Sequence, residues 1–236
     1  MLRQAFVKQL QLEGFAIFDD VLDEQHVSNL IQQISNHRVS ANTSERGGKA
    51  FGIRDLLTSI PLVRDLASST PIESLIRLGL SDGSKVVRGV YLDKHKDANW
   101  KVAWHQDLTV AVRERKQVEN YGPWSVKAGI NHVQPPVSVL QNMLAVRIHL
   151  DRADQDNGAL RVLPGSHREG RLSHDQIKAW RQKGEPITCE VSRGGVMLMR
   201  PLLLHASSSA VEPRHRRVIH LEFATGDLDG GLQWYE

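Results

Sequence analysis

The sequence predicts a mainly β protein, a double-stranded β-helix of the cupin-like jelly-roll type with helices flanking it at the N-terminal end. Helical periodicity is confined to about residues 1–80, and segments with strand character dominate from Lys85 to about residue 225. Strands of this kind pack as two facing sheets, and the open end of such a structure can hold a metal ion and a small ligand.

The helical segments come first in the chain. Their apolar spacing predicts, in order, a helix over residues 2–12, a strand over 15–18, a helix over 24–36 and a helical segment over 60–78. Gly14 ends the first helix, and Pro71 predicts a break in the last one. The polar, glycine-bearing stretch 40–48 is typical of a flexible loop.

The second part of the chain is predicted to consist of strands. Candidates are residues 86–92, 102–106, 139–150, 160–162, 187–191, 196–199 and 218–223. The segment 113–137, which contains Tyr121-Gly122-Pro123-Trp124, is too long for a simple hairpin. We expect it to form a lid that carries substrate specificity. No repeat or low-complexity tract is present, so the sequence predicts a single domain over residues 1–236.

Composition excludes several classes of protein. Subtracting 27 acidic from 30 basic residues gives a net charge of +3, which is too small to indicate nucleic-acid binding. Cys189 is the single cysteine, so internal disulfides and cysteine-based zinc clusters are excluded. It is expected to lie in a strand. Neither an apolar run of membrane-spanning length nor a secretory signal is present. We therefore expect a cytoplasmic enzyme with a small-molecule substrate, as a monomer or homodimer.

The most informative motif is His105-Gln106-Asp107, together with the distant His205. Residues i and i+2 of a strand point to the same face, so His105 and Asp107 can bind one ion. His205, in an apolar stretch, is the candidate for a third ligand. Two histidines and one carboxylate leave three positions free on an octahedral ion, the arrangement of non-haem Fe(II) oxygenases.

The same spacing occurs at two other places in the chain. His95 and Asp97 lie in a charged run that is typical of a solvated loop, where neither side chain is held for metal binding. His149 and Asp151 end an apolar strand, and Asp151 is expected to order the following turn through nearby backbone groups. We interpret both pairs as unrelated to the metal.

Each candidate also has a structural interpretation. His205 could be a histidine bonded to backbone in a buried strand, and the cluster 214–217 could be a solvated basic surface or a site for acidic partners. Met197 and Met199, which follow the predicted Gly194-Gly195 turn, are interpreted as core residues. Large aromatic residues usually belong to the core, but three tryptophans are also candidates for a substrate pocket: Trp100, Trp104 and Trp124.

Several ordered motifs resemble the phytanoyl-CoA dioxygenase family of Fe(II)- and 2-oxoglutarate-dependent oxygenases. The resemblance extends from about Val86 to Phe223 and is looser in the N-terminal third. Its motifs are Trp104-His105-Gln106-Asp107, Asn157-Gly158-Ala159-Leu160, Val162-Leu163-Pro164-Gly165-Ser166-His167, Pro201-Leu202-Leu203-Leu204-His205-Ala206-Ser207 and the arginine that follows.

The resemblance implies roles for particular residues. His105, Asp107 and His205 match the iron ligands. Arg216 matches the arginine that pairs with the distal carboxylate of 2-oxoglutarate, a task suited to a planar guanidinium. Strand alternation places the neighbouring Arg217 on the opposite face.

Three further residues are expected at the cosubstrate. Ser207 shares the face of His205 and could donate its hydroxyl to the same carboxylate. Lys94 aligns with a lysine that contacts the cosubstrate in a relative. Arg147 takes a position where other members of the family have an aromatic residue in contact with the cosubstrate.

The resemblance also implies a reaction. Iron, 2-oxoglutarate and dioxygen would serve to hydroxylate an unactivated C–H bond, with release of succinate and CO2. Halogenating relatives lack the carboxylate ligand, so Asp107 favours hydroxylation. The alternatives are a cupin-like isomerase or hydrolase that does not use 2-oxoglutarate, and a non-catalytic binding barrel. Neither needs a guanidinium at the position of Arg216.

Overall fold

The computed structural model describes residues 2–37, 43–46 and 49–236. Its helices are α1 (Leu2–Leu12), α2 (Glu24–Ser35), α3 (Leu56–Ser59), α4 (Pro61–Ala67), α5 (Thr70–Ile76), α6 (Val137–Gln141) and α7 (His174–Lys183), with 3₁₀ turns at Ser166–Glu169 and Asp229–Gly231. Its strands are β1 (Phe15–Phe18), β2 (Thr43–Arg46), β3 (Lys49–Ile53), β4 (Ser84–Lys94), β5 (Val102–His105), β6 (Val110–Val112), β7 (Trp124–Lys127), β8 (Ile130–Val133), β9 (Met143–His149), β10 (Leu160–Val162), β11 (Ile187–Cys189), β12 (Val196–Met199), β13 (His205–Ser207) and β14 (Arg216–Thr225).

The described strands form three antiparallel sheets. A seven-stranded sheet has the order β1-β12-β9-β14-β4-β3-β2, and a four-stranded sheet has the order β11-β10-β13-β5. The third sheet has three strands in the order β6-β8-β7. The predicted mainly β fold is confirmed, and the two larger sheets are those of a double-stranded β-helix.

One face of the seven-stranded sheet is covered by the N-terminal helices. Alternate residues of its central strands, such as Val146 and Leu221, pack in one apolar cluster with Leu30 of α2 and Ile72 of α5. Asp23 starts α2 by accepting a hydrogen bond of 2.8 Å from the backbone N–H of His26. The helices therefore keep water from this face and leave the opposite face to the site.

The opposite face of the same sheet looks toward the four-stranded sheet. Part of this interior is apolar, with Met197 and Met199 packed against Leu160, Val162 and Cys189. The core assignment of both methionines is confirmed, as is the position of Cys189 in a strand. The rest of the interior is polar, because the inward positions of β9 and β14 carry arginine, histidine and glutamate.

The N-terminal predictions hold except in two places. The segment 60–78 is divided into α4 and α5, but the break lies at Ser68 and Ser69, and Pro71 stands in the first turn of α5. Proline is tolerated there because the first helical N–H groups have no partner within the helix. Within the predicted loop 40–48, residues 43–46 form β2, and the other positions lie outside the described residues.

The strand predictions are corrected at their ends. Residues 139–141 belong to α6 and not to the strand that follows, because a short apolar run does not distinguish helix from strand. Strands β4 and β14 are longer than predicted, at 11 and 10 residues. Their outer ends carry Lys94 and Arg216, charged residues that the sequence pattern placed beyond the strands.

The segment 113–137 is not a single simple hairpin, as we expected, but it contains strands β7 and β8 of the three-stranded sheet. Strands β7 and β8 are joined through Ala128 and Gly129, both at positive φ, and β8 also pairs with β6. A two-residue turn with positive φ at both positions matches the twist of the flanking strands. The substrate role of this segment stays a prediction, as does the single domain. No helix in the described ranges is long and apolar enough to cross a membrane.

Asp151 joins the ends of β9 and β14. Its carboxylate accepts hydrogen bonds from the Arg217 guanidinium, at 2.8 and 2.7 Å, and from the Arg217 backbone N–H, at 2.9 Å. The expected role of Asp151 in ordering the local turn is wrong, since its bonds cross to another strand. Both side chains are largely shielded from water.

We expect Asp151→Ala to lower the free energy of unfolding by about 2–4 kcal/mol, because a buried N–H group and a guanidinium lose their acceptor. The measurement is urea denaturation followed by circular dichroism. Asp227→Ala is the control, since its ion pair with Lys85 is exposed and should contribute less than about 1 kcal/mol. Equal effects of the two substitutions would contradict the structural role of Asp151.

Candidate metal and cosubstrate site

The two histidines of the triad face each other across neighbouring strands. His105 ends β5, His205 begins β13, and the two residues are directly paired, with ring centroids 4.2 Å apart. The carboxylate oxygens of Asp107 lie 3.6 Å from His105 Nε2 and 3.7 Å from His205 Nε2. One ligand atom from each residue lies within 4.8 Å of the others, so the three could hold one metal ion.

Backbone groups fix the orientation of both rings. His105 Nδ1 donates to the carbonyl of Ala103 and His205 Nδ1 donates to the carbonyl of Leu203, each at 2.9 Å. A protonated Nδ1 leaves the lone pair on Nε2, the atom that faces Asp107. Such hydrogen bonds are typical of histidines that bind metal, because they fix both tautomer and ring angle.

Gln106 fixes the short segment between the two ligands. Its amide nitrogen donates to the carbonyls of Gly170 and Leu202, and its amide oxygen accepts from the N–H of Leu172. Gln106 points away from the metal ligands, as expected for the middle residue of an i, i+2 pair. The Asp107 backbone N–H donates to the carbonyl of Pro201 at 2.9 Å, which ties this segment to the approach to β13.

The charges within the triad suit a divalent cation. Burial lowers the pKa of His205 to about 4, so this ring is neutral near pH 7. Burial acts to raise the pKa of Asp107, but the attraction of the protonated form of His205 and the hydrogen bond from His105 hold it well below its usual range. Burial also opposes protonation of His105, whose pKa is nevertheless raised by Asp107. The set provides one carboxylate and two imidazole donors.

Three cations line the interior near this triad. Arg216 is paired with Lys94 across β14 and β4, and Arg147 of β9 is paired with His220 of β14. Only 5% of Arg216, 6% of Arg147 and 1% of Lys94 is exposed. Lys94 Nζ donates to the backbone carbonyl of Ser208 at 2.7 Å and to Ser207 Oγ at 3.2 Å.

The two guanidinium groups are only partly satisfied. Among the described residues, Arg216 Nε and Nη1 and Arg147 Nε have no hydrogen-bond partner. Burial, followed by the charge of Arg147, lowers the pKa of Arg216 to about 10. Burial, followed by the charge of Arg216, lowers the pKa of Lys94 to about 7. Charges buried in this way need a counter-charge, and a dicarboxylate fits them.

Of the basic residues 214–217, all except Arg216 are bound to carboxylates outside the group of three interior cations. Arg217 bonds to Asp151, Arg214 bonds to Asp154 at 2.6 Å, and His215 contacts Asp93 at 2.8 Å. The charge of Asp93 acts on Arg216, but its carboxylate is bound to His215. Arg216 is therefore the member of the cluster that enters the interior.

The two pairs that repeat the motif are not part of the metal triad, as we expected, but His95 is placed differently from its prediction. His95 is buried, with its ring 5.4 Å from that of His215, so the predicted solvated loop is wrong for this residue. His149 is also buried, and both of its ring nitrogens lack a described partner. Burial and then the charge of Arg147 lower its pKa well below the usual value, which makes it a neutral neighbour of the cations.

Only one of the three tryptophans lies near the cations. Lys94 Nζ is 5.5 Å from the centre of the Trp100 ring. Trp104 lies beneath Arg161 and packs on the cluster of Leu163 and Leu204, in agreement with its interpretation as a core residue, and its role in a pocket stays a prediction. Trp124 packs on the apolar cluster beneath the three-stranded sheet.

Two polar residues of the interior were not identified from the sequence. A cavity beside Asp107 is lined by His220 and Glu222, which follow Arg216 at alternate positions of β14. His220 Nδ1 is 3.0 Å from Arg147 Nη1, and Glu222 accepts from Arg88 at 2.9 Å. The even spacing from Arg216 is a signal that could have found them.

Comparisons with known proteins agree with this geometry. The family model described as Phytanoyl-CoA dioxygenase (PhyH) matches residues 10–218. Among curated protein sequences none gives a significant match.

Solved structures share the fold at low sequence identity. AviO1 from Streptomyces viridochromogenes Tue57 is 22% identical, with 96% of each chain covered and a TM-score of 0.67. EctD from S. alaskensis, solved with 2-oxoglutarate and 5-hydroxyectoine, is 16% identical over 97% of this chain and 78% of that one, with a TM-score of 0.75. SnoN, a non-heme alpha ketoglutarate dependent epimerase from nogalamycin biosynthesis, is 15% identical over 95% and 83%, with a TM-score of 0.66.

Loss of an outer hydrogen-bond partner of a metal ligand weakens metal binding by about 10- to 100-fold. We expect His205→Ala to weaken metal binding by more than this, because the substitution removes a donor atom itself. The measurement is anaerobic titration with Co(II), in which binding is detected by calorimetry and by visible absorption. His215→Ala is the control, since His215 is bound to Asp93 outside the triad. Unchanged Co(II) affinity in His205→Ala would remove His205 from the site.

Proposed function

The chain belongs to the phytanoyl-CoA dioxygenase family, and from this premise we propose that it hydroxylates an unactivated C–H bond of a small-molecule substrate. Membership makes it an iron- and 2-oxoglutarate-dependent enzyme of the oxygenase superfamily. The type of oxidation, the substrate class and the roles of individual residues are our proposals, as are the absence of nucleic-acid and membrane partners and the cytoplasmic location.

The observation that supports this proposal best is the position of a divalent-metal triad next to unpaired buried cations. Two histidines and one aspartate leave three positions free on an octahedral ion. Arg216 and Lys94 are paired on adjacent strands, and the unpartnered nitrogens of Arg216 are available to a ligand. A bidentate keto acid with a second carboxylate satisfies both features, because it binds the metal at one end and a guanidinium at the other.

Each site residue then has a task. His105, Asp107 and His205 hold the iron. Arg216 binds the distal carboxylate of 2-oxoglutarate through its planar fork. Lys94 adds a positive charge beside Arg216 and donates to Ser207 Oγ, which leaves the Ser207 hydroxyl hydrogen free for the carboxylate.

Arg147 has a positioning role in this proposal. Its Nη1 lies 3.0 Å from His220 Nδ1, an arrangement in which the arginine donates to a neutral imidazole. His220 lines the cavity beside Asp107, so Arg147 holds the ring that borders the metal ligands. Burial lowers the pKa of Arg147 to about 10, and the charge of Asp107 acts against this shift and favours the protonated form.

With iron and 2-oxoglutarate bound, oxidation of the substrate C–H bond is coupled to conversion of dioxygen and 2-oxoglutarate into succinate and CO2. The protein supplies ligands, orients the cosubstrate and keeps water out. Asp107 occupies the metal face where halogenating relatives leave room for chloride, so we propose hydroxylation as the outcome. One structural neighbour is described as an epimerase, so we expect the bound substrate to determine which of several related oxidations takes place.

The two alternative functions considered in the sequence analysis do not account for the buried cations. An isomerase or hydrolase of the cupin type would use the triad but not Arg216, and a non-catalytic barrel would bind ligands independently of metal. Release of succinate distinguishes both from an oxygenase. No described contact favours either alternative.

We expect Arg216→Ala to raise the Kd for 2-oxoglutarate by about 10- to 100-fold, since charge-assisted hydrogen bonds to one carboxylate are lost. The measurement is calorimetric titration of the anaerobic Fe(II) protein. Arg214→Ala is the control, because Arg214 is partly exposed and bound to Asp154. Equal affinity in all three proteins, or no binding by the parent protein, would contradict the cosubstrate assignment.

We expect the affinity for 2-oxoglutarate to fall as the pH rises from 7 to 9. The pKa of Lys94 is about 7 in the free protein, so below this pH the lysine is already charged, and above it binding of the dianion must recruit a proton. The slope should approach tenfold per pH unit. Lys94→Met should bind more weakly at pH 6 and lose the slope, and a parallel slope in Lys94→Met would contradict the role of Lys94.

A further inference from the structure

A second group of basic side chains lies near the cavity beside Asp107, distant from Arg216 and Lys94. It consists of Arg54, Arg88, Lys127 and His132, which we call the mouth cluster. Two of its members are buried, one is half-buried and one, Lys127, is exposed. Arg88 and Lys94 lie on the same face of β4, six positions apart, which corresponds to about 20 Å of strand. The mouth cluster is therefore separate from the cations proposed to bind 2-oxoglutarate.

Arg88 lies in the seven-stranded sheet, and Arg54 directly follows strand β3 of the same sheet. Arg88 is directly paired with Glu222 and donates to it at 2.9 Å, with 9% of the residue exposed. Strand β3 pairs with β4 through Ile53 and Tyr91, both on the helix-covered face. Arg54 is half-buried and is close enough to Arg88 for the two charges to act on each other.

The three-stranded sheet contributes Lys127 and His132. On one of its faces Trp124 and Val133 pack into an apolar cluster. Lys127 and His132 belong to the opposite face, since Lys127 pairs with Ile130 and His132 lies two positions further along the same strand. Lys127 Nζ donates to Thr109 Oγ1 at 3.3 Å, while His132 is fully buried.

Partners of both contributions border the cavity beside Asp107. Thr109, the partner of Lys127, and Glu222, the partner of Arg88, line the same cavity as Asp107. The side chains also act on one another: burial, then the charge of Arg88, lowers the pKa of His132 to about 4. Burial, then the charges of Arg88 and Arg54, lowers the pKa of Lys127.

The carboxylates facing the mouth cluster are already engaged. Glu222 is bound to Arg88 and lies 3.5 Å from His220, and Asp107 belongs to the metal triad. In the described part of the chain neither Arg54 nor Lys127 forms an ion pair. The buried atoms His132 Nε2 and Arg88 Nε also have no described partner, so the cluster carries excess positive charge and two unused polar atoms.

We propose that the mouth cluster binds an anionic group of the prime substrate, a carboxylate or a phosphate ester, and so holds the rest of the molecule against the metal. The assignment to the substrate depends on the proposed oxygenase function, whereas binding of the anion does not. A cation would be repelled by Arg54 and Lys127. The hairpin of β7 and β8 then contributes to specificity by supplying Lys127 and His132.

The test uses small anions on protein loaded with Zn(II) and 2-oxoglutarate, so that the metal and Arg216 are occupied. Inorganic phosphate and acetate are titrated separately, and binding is followed by NMR of ¹⁵N-labelled arginine, lysine and histidine side chains. We expect saturable shifts of Arg88, Lys127 and His132 with at least one of the two anions. Saturation by phosphate alone indicates a phosphate ester, and saturation by acetate alone indicates a carboxylate.

Variants decide whether the cluster is responsible. Lys127→Ala and Arg54→Ala should each raise the Kd of the anion by about tenfold, the effect of one lost charge-assisted hydrogen bond. Lys116→Ala is the matched control in the same segment, since Lys116 is bound to Glu114. The absence of saturable shifts at the cluster in the parent protein, or an unchanged Kd in both variants, would overturn the proposal.

The same samples separate this proposal from the proposed function. Binding of 2-oxoglutarate is measured first by calorimetry, and the anion titration is repeated on protein without metal or 2-oxoglutarate. Anion binding at the mouth cluster without any 2-oxoglutarate binding would contradict the oxygenase and leave the anion site intact. Binding of 2-oxoglutarate without anion binding at the cluster would overturn the anion site and leave the oxygenase function intact.

Discussion

Buried positive charge is the constraint on which the rest of this structure depends. Arg147, Arg216 and Lys94 lie inside the barrel with almost no exposure, and their pKa values are lowered because burial opposes the charged form. Leaving such groups without counter-charges costs several kcal/mol each. The fold can tolerate this cost because the opposite face of the same strands is packed against the helices, where apolar burial provides stability.

Strand alternation and register bring the residues of the candidate metal site together. The direct pairing of His105 with His205 brings two ligands together without any loop, and Asp107 is held by the bonds of Gln106 and of its own N–H. Each ring is fixed by a carbonyl two positions earlier in the chain. Ligands on paired strands are held more precisely than ligands on loops, as metal binding requires. The site is therefore largely organised by the backbone.

The sequence predicted what depends on local spacing. Alternation allowed only one of Arg216 and Arg217 to face the interior, and the family resemblance selected Arg216. The structure buries Arg216 in the interior and bonds Arg217 to Asp151. Long-range packing could not be predicted in this way. Trp104 shares a strand with His105 but belongs to the outer face, and the strand end at residues 139–141 is helical because a short apolar run fits both periods. The burial of His149 depends on sheets that meet only in the fold.

The order of residues along β14 gives the interior its polarity. Arg216, His220 and Glu222 share one face, so the chain passes from the proposed cosubstrate cation, to the ring that borders Asp107, to the carboxylate that holds Arg88. Two anions bound at the ends would be about 20 Å apart, and at this distance their Coulomb repulsion is about 1 kcal/mol at an effective dielectric constant of about 20. Their mutual repulsion is then small, whereas each is attracted by its own cations. The length of β14 therefore separates the charges of the two proposed anionic ligands.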